Sequence, residues 1–280
     1  MNAEKFDMAV IIPANNEEEY IGSCLGALLA QDKEAGRLQI IVAANACTDR
    51  TEEIVNSHVP EAQALGWELI CQSSPVPGKL DALNRADKLV RAPSRTYIDA
   101  DVTCDSGLFG QLRDALDRPE PTYATGTINV APAKTWTTRH YADVWVRLPF
   151  VQGGAVGAGL FAVNRAGRAR WRDFPSIIAD DTYARLHFSP DERTEVPAGY
   201  RWPMVEGLRN LIRVRRRQDA GVLEVYQKYP ELRKNEGKAI LKLSDVLKLA
   251  AQNPVGFSIY MIVHLAVRIR SKEKEWSRGR

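Results

Sequence analysis

The chain has 280 residues, 45% hydrophobic and 26% charged, with a formal net charge of +3. That is an ordinary globular composition, enough for one α/β domain or one domain with a tail, and the net charge is too small to imply nucleic acid as a partner, although the positive residues are unevenly spread. Cys24, Cys47, Cys71 and Cys104 have neither CxxC nor zinc-finger spacing, so reduced thiols in a cytoplasmic protein are expected.

Polar Met1 to Asp7 leads into an apolar run cut short by Pro13, so no secretory signal is expected. Met8-Ala9-Val10-Ile11-Ile12-Pro13 reads as a strand buried on both faces and stopped by proline. Glu17-Glu18-Glu19 then load the start of a helix whose apolar face is Ile21, Leu25, Leu28 and Leu29. A second strand is predicted at Leu38 to Ala43, a turn at Ala44 to Thr51 with Thr48 or Asp49 as N-cap, and a helix through Ile54 and Val55. A third strand follows at Trp67 to Cys71. After the loop Pro75 to Lys79, the spacing of Leu80, Leu83, Ala86, Leu89 and Val90 predicts a helix, and Arg95 to Ile98 a fourth strand. Strand and helix thus alternate, which predicts a mainly parallel sheet flanked by helices, with ligands bound outside the carboxyl ends of its strands.

The fourth strand runs into Asp99-Ala100-Asp101, and alternation points both carboxylates to one side. Such a pair suits a hard cation such as Mg2+ or Mn2+ that takes its other ligands from water and substrate phosphate. An isolated Asp-x-Asp is equally the composition of a solvated turn; the convergence of the other polar turns on the same sheet edge favours the ligand. Lys79, after a glycine and at the start of a helix, is either a solvated charge or a phosphate contact.

These residues carry a resemblance. Val10 to Glu17, the turn Asn45 to Thr51, Gly78-Lys79 with Ala82-Leu83-Asn84, and Asp99-Ala100-Asp101 resemble, in order and spacing, the nucleotide-sugar half of family-2 glycosyltransferases of the GT-A fold. The match runs from about Asp7 to Gly221. It implies an inverting, metal-dependent transfer of a sugar from a nucleoside diphosphate sugar, on a Rossmann-like sheet. Pro13, Asn15, Glu17 and Asn45 would lie near base and ribose, Asp99 near the ribose or metal, and Asp101 on the metal. In one place the chain departs from the family: the usual acidic pair of the second turn is Ala44-Asn45 here, so the resemblance implies nothing about which base is bound.

Further along, Leu108, Leu112 and Leu116 mark a helix and Tyr123 to Val130 a strand. Gly153, Gly154, Gly157 and Gly159 precede the strand Leu160 to Val163. They are a flexible turn or, as in the resembled family, a segment lining the donor and acceptor pocket; Gly157 and Gly159 are the candidates. Asp180 and Asp181 open a helix, where one acid would suffice as a cap. By resemblance the second acid, Asp181, is the general base and Asp180 its support. Arg213 to Arg217 is a solvated or membrane-facing basic helix face or, by resemblance, the segment that closes over the diphosphate; the family's Gln and Trp are missing in register, so only an arginine role, at Arg213 and Arg217, carries over.

Domain organisation is expected to be a transferase domain over 1–221, with a nucleotide-sugar half at about 7–118 and an acceptor half at 119–221, followed by a helical extension over 222–280. The extension pairs the apolar stretch Val255 to Val267, well short of the roughly 20 residues a spanning helix needs, with Arg268, Arg270, Lys272 and Lys274. Peripheral contact with the inner face of a membrane through 252–280, packing on the domain, and homo-oligomerisation all fit that pattern. Glycan, lipid-linked and small-molecule acceptors remain open. Two rivals are a sugar-phosphate nucleotidyltransferase, which calls for a glycine-rich basic loop where Pro13-Ala14-Asn15-Asn16-Glu17 stands, and a catalytically silent sugar-nucleotide binder, which has little use for two acidic pairs.

Overall fold

Runs of Val, Ile, Leu and Ala with no polar face fold only where both faces are covered, and they form the middle of the sheet in the computed structural model, which describes residues 6–237 and 242–269. In chain order the first half gives β1 (Met8–Ala14), α1 (Ile21–Leu29), β2 (Leu38–Asn45), α2 (Thr51–Ser57), α3 (Val59–Ala64), β3 (Glu68–Ser74), α4 (Lys79–Asp87) and β4 (Ser94–Ile98). The second half gives β5 (Thr103–Cys104), α5 (Leu108–Leu116), β6 (Tyr123–Val130), α6 (Trp136–Trp145), β7 (Leu160–Asn164), α7 (Arg165–Arg168), α8 (Asp180–Arg185), β8 (Arg193–Trp202) and α9 (Leu208–Lys228). Finally come α10 (Leu243–Gln252) and α11 (Pro254–Ile269). Both β8 and α6 were unforeseen. Arg193 to Trp202 is broken by Pro197 and Gly199 and pairs with β6 through a register shift, which hides the strand alternation.

The sheet order is β3-β2-β1-β4-β7-β6-β8-β5. Parallel pairs join β1 to β2, β1 to β4, β2 to β3 and β6 to β8, while β7 and β5 run against their neighbours. The connections progress outward from β1 to β3 and then return to β4 on the other side of β1. That reversal opens a crevice at the carboxyl ends of β1 and β4, where sheets of this kind hold ligands.

One core layer packs α1 and α5 on the sheet through Val10, Ile12, Leu25, Leu28, Ile98 and Leu108. The opposite layer packs α4 and α8 through Ile11, Leu83, Tyr97, Phe161 and Ala184. Because Tyr97 faces this second layer and Ile98 the first, strand alternation turns Asp99 toward α4 and α8. Tyr97 is itself pinned: its hydroxyl donates to Asp87 at 2.8 Å, and Arg95 and Arg168 reach the same carboxylate at 2.7 and 2.6 Å. A buried acid held by two guanidiniums and a phenol thus fixes the strand that delivers Asp99.

A third apolar cluster joins α6, α9 and α11 through Tyr141, Trp145, Leu211, Ile259 and Val263. The boundary anticipated at 221 falls inside α9, and the C-terminal helices pack against α6 and α9. Among the described residues no helix is long and apolar enough to cross a membrane. Arg270, Lys272 and Lys274 lie outside the described residues.

Candidate active site

One cavity of ≈ 1910 Å³ receives the carboxyl ends of β1, β2 and β4 and the starts of α4 and α8. Single-ligand pockets span roughly 300–1,000 Å³, so this volume has room for two substrates side by side.

At the β1 and β2 ends the backbone is cross-braced by amides. Asn15 donates from Nδ2 to the carbonyls of Asn45 and Ala46, at 2.6 and 3.1 Å. Asn45 is 3% exposed; its Nδ2 donates to the Ala14 carbonyl at 2.8 Å and its Oδ1 accepts the Gly78 N–H at 3.1 Å. Both ends of that amide are therefore committed to the frame. A carboxylate at 45 would face the Ala14 carbonyl with no proton to give, which is the physical reason an amide stands there. Pro13, Asn15, Glu17 and Asn45 all border the cavity.

Gly78, held by Asn45, has φ +130, a conformation L side chains rarely adopt, and it starts α4 at Lys79. The Lys79 ammonium lies 2.9 Å from Asp99 Oδ1 and 3.1 Å from Asp180 Oδ2. Residues from the end of β4 and the start of α8 thus meet on one cation. Burial by itself would lower the lysine pKa, but Asp180 and Asp99 more than offset it and hold the ammonium charged.

Capping does not account for the acids of α8. Asp180 is 7% exposed and spends its carboxylate on Lys79. Asp181 accepts the Thr182 N–H at 2.6 Å and borders the cavity. Burial, then the neighbouring Asp180 charge, raise the Asp181 pKa from its ordinary value, with Lys79 pulling the other way. A carboxylate so placed is a stronger base than one in water.

From α9, Arg217 borders the cavity, where burial lowers its pKa and Asp99, Asp180 and Asp181 counteract that effect. Arg213, one turn earlier, is not among the cavity's lining residues, whereas Arg215 is, paired with Asp219 at 2.8 Å. Gly157 and Gly159 do border the cavity, and both have positive φ, +65 and +74. A Cβ on Gly157 would stand 1.8 Å from the Tyr123 hydroxyl, and one on Gly159 2.6 Å from Trp202 Cδ1. The glycines are required by close approach as well as by conformation. Trp202, with Trp145 stacked on it at 5.6 Å, was not anticipated as a site residue because its strand was not.

Among the described residues no group of three or more His, Cys, Asp or Glu is arranged to hold a metal ion. Asp99 and Asp101, both bordering the cavity, nevertheless offer the donor chemistry that Mg2+ or Mn2+ takes when water and phosphate supply the rest.

Residues 9–192 match the family model described as Glycosyl transferase family 2. Among curated proteins none matches the chain. Among solved structures, the mannosyltransferase PcManGT from Pyrobaculum calidifontis, in complex with GDP-Man and Mn2+, is 19% identical, covers 96% of this chain and 76% of its own, and has a TM-score of 0.59. Residues 1–349 of TarS from S. aureus are 15% identical over 93% of this chain and 86% of that one, with a TM-score of 0.52. Mannosyl-3-phosphoglycerate synthase from Rubrobacter xylanophilus is 19% identical over 85% and 77%, with a TM-score of 0.52. At such identities the likeness establishes the fold.

Proposed function

This chain belongs to glycosyl transferase family 2 and is a glycosyltransferase, and from that premise we propose that it moves a sugar, with inversion and with a divalent metal, from a nucleoside diphosphate sugar to an acceptor hydroxyl. The observation that carries the reading is the Lys79 ammonium between Asp99 and Asp180, which brings both acid pairs to one cleft.

Asn15 and Glu17 meet the nucleoside at the β1 end, beside Pro13 and the Asn45 brace. Lys79 and Arg217 face the diphosphate. Asp101, with Asp99, would hold Mg2+ or Mn2+, which would supply positive charge to offset that of the diphosphate. Asp181 takes the proton of the acceptor hydroxyl as that oxygen bonds to the anomeric carbon. The bond from that carbon to the diphosphate oxygen breaks with its electron pair staying on the phosphate, so one displacement inverts the centre. Asp180, paired with Lys79 at 3.1 Å, supports Asp181 from the preceding position.

A bound donor stabilises the fold by mass action, by about 2.7 kcal/mol at a hundredfold excess over Kd. Screening nucleotide sugars with Mn2+ by thermal shift should therefore give one nucleoside class that raises Tm by several degrees, and only with metal present. A panel in which no nucleotide diphosphate moves Tm would contradict the reading.

The same reading includes peripheral contact with a membrane through the C-terminal helices. On α11, Gly256, Ile259 and Val263 point inward, while Val255, Ile262, Leu265 and Ile269 are exposed on the other side. Arg268 follows, and the sequence beyond it adds Arg270, Lys272 and Lys274. An apolar stripe beside basic residues suits an anionic lipid interface. Vesicles containing anionic lipid should carry the protein down on sedimentation, and a variant with Ile262→Glu and Leu265→Glu should stay in solution. Equal sedimentation of the two would remove the membrane from the account.

A further inference from the structure

The two ends of the cavity differ in chemistry. One end holds Lys79, Arg217 and the four acids. The other is walled by Trp145, Phe150, Trp202, Met204 and Val205, brought in by the end of α6, the segment after it and the end of β8. The two ends are continuous: the Gly159 carbonyl accepts the Asp99 N–H at 2.9 Å, and Gly159 lies against the Trp202 ring. The apolar wall therefore starts one residue away from the acid pair.

Polar groups do reach the apolar end, but they are occupied within the protein. The Glu206 carboxylate accepts from the Lys134 and Thr135 N–H groups at 2.7 and 2.9 Å and from the Thr135 hydroxyl at 2.5 Å. Asn210 donates to the Glu206 carbonyl at 2.8 Å, and Arg215 donates to Asp219 at 2.8 Å. Lys134 and Gln152 are exposed at the rim. A sugar ring wants a ring of directional donors and acceptors around it as well as an aromatic face. Here the Glu206 carboxylate, Asn210 Nδ2 and Arg215 Nε are spent within the protein, and one face of Trp202 is taken by Trp145 at 5.6 Å. What the wall offers is apolar contact.

Resting on the reading of this cleft as a transferase site, we infer that the acceptor is an amphiphile, whose hydroxyl-bearing head lies at Asp181 and whose apolar chain runs along Trp202, Phe150 and Met204. A hydroxyl head is preferred to a phosphate because a phosphate is already ionised and needs no carboxylate to remove a proton.

The test uses the full chain without donor and n-alkyl β-D-glucosides from butyl to octyl, each below its micelle concentration, with binding read by calorimetry. Burial of methylene groups should tighten binding about tenfold for each two methylenes added. A flat series, or a free trisaccharide that binds more tightly than octyl glucoside, would overturn the inference. n-Octyl phosphate should bind no more tightly than octyl glucoside, and a preference for it would overturn the hydroxyl head. Trp202→Ala and Phe150→Ala should each flatten the series, with melting curves confirming the fold. If Trp202→Ala does not fold, Phe150→Ala decides, and an undiminished chain-length dependence in a folded variant counts against the inference. Thermal shift with nucleotide diphosphate and Mn2+ on the same samples keeps the two readings apart. A donor response with a flat alkyl series sinks only the amphiphile, whereas a steep series with no donor response sinks the proposed donor site in this cleft.

Discussion

Asp181→Asn should slow transfer by orders of magnitude while the donor still binds. Losing a positioned general base typically costs about 10²–10⁴ in kcat. The isosteric amide keeps the size of the group and can still accept the Thr182 N–H, which the carboxylate accepts at 2.6 Å, so the start of α8 has no reason to move. Donor affinity and Tm should match the wild type. The pH profile adds a readout that a merely structural role would not move. The base works only when deprotonated, and burial together with Asp180 raises its pKa. The wild-type rate should therefore fall on the acid side through a limb displaced upward from ordinary carboxylates, and the residual rate of the variant should lack that limb. Near wild-type turnover in the variant would assign the base elsewhere.

Lys79→Met should come second in effect. Its ammonium contacts both acid pairs, at 2.9 Å to Asp99 and 3.1 Å to Asp180. Removing a preorganised charge that faces a leaving group costs about 10²–10³ in kcat, and donor affinity should weaken with it because the same charge meets the ground-state diphosphate. Lys79 also opposes the upward shift of Asp181, so without it the acid limb should move to higher pH. Steady-state kinetics across pH check both parts. A variant that lost turnover with an unmoved limb and intact donor binding would place Lys79 outside the cluster's electrostatics.

The parallel half of the molecule was legible because strands covered on both faces leave a simple mark, an unbroken apolar run such as Met8 to Ile12 ended by a polar turn. Once four strands alternate with helices, topology gathers their carboxyl ends, and the order of the motifs does the rest. Asp99 and Asp180 were each readable as chemistry, yet the cation between them was not. Lys79 and Asp180 are far apart in sequence, and no local pattern reports a pairing made only by tertiary packing. Asn45 shows the opposite case. Its departure from the family's acid pair is plain in the sequence, but its reason, an amide proton given to the Ala14 carbonyl at 2.8 Å, exists only in three dimensions.

The second half of the sheet and its flanking helix α6 were harder to read because their signals are mixed. On α6 the buried face includes Thr138, whose hydroxyl is satisfied by the Val205 carbonyl at 3.1 Å, so a polar residue interrupts the apolar period a helix is recognised by. On β8, Pro197 and Gly199 do the same to a strand. Trp202 follows from that strand, so the apolar end of the cleft was invisible until β8 was placed.

The central claim is a single displacement at the anomeric carbon by an acceptor that Asp181 deprotonates on the face opposite the diphosphate. With a donor identified by thermal shift, the proton NMR spectrum of the transfer product reports its anomeric configuration directly. An α-linked donor should yield a β-linked product from the first turnover, and an α-linked product would contradict the account.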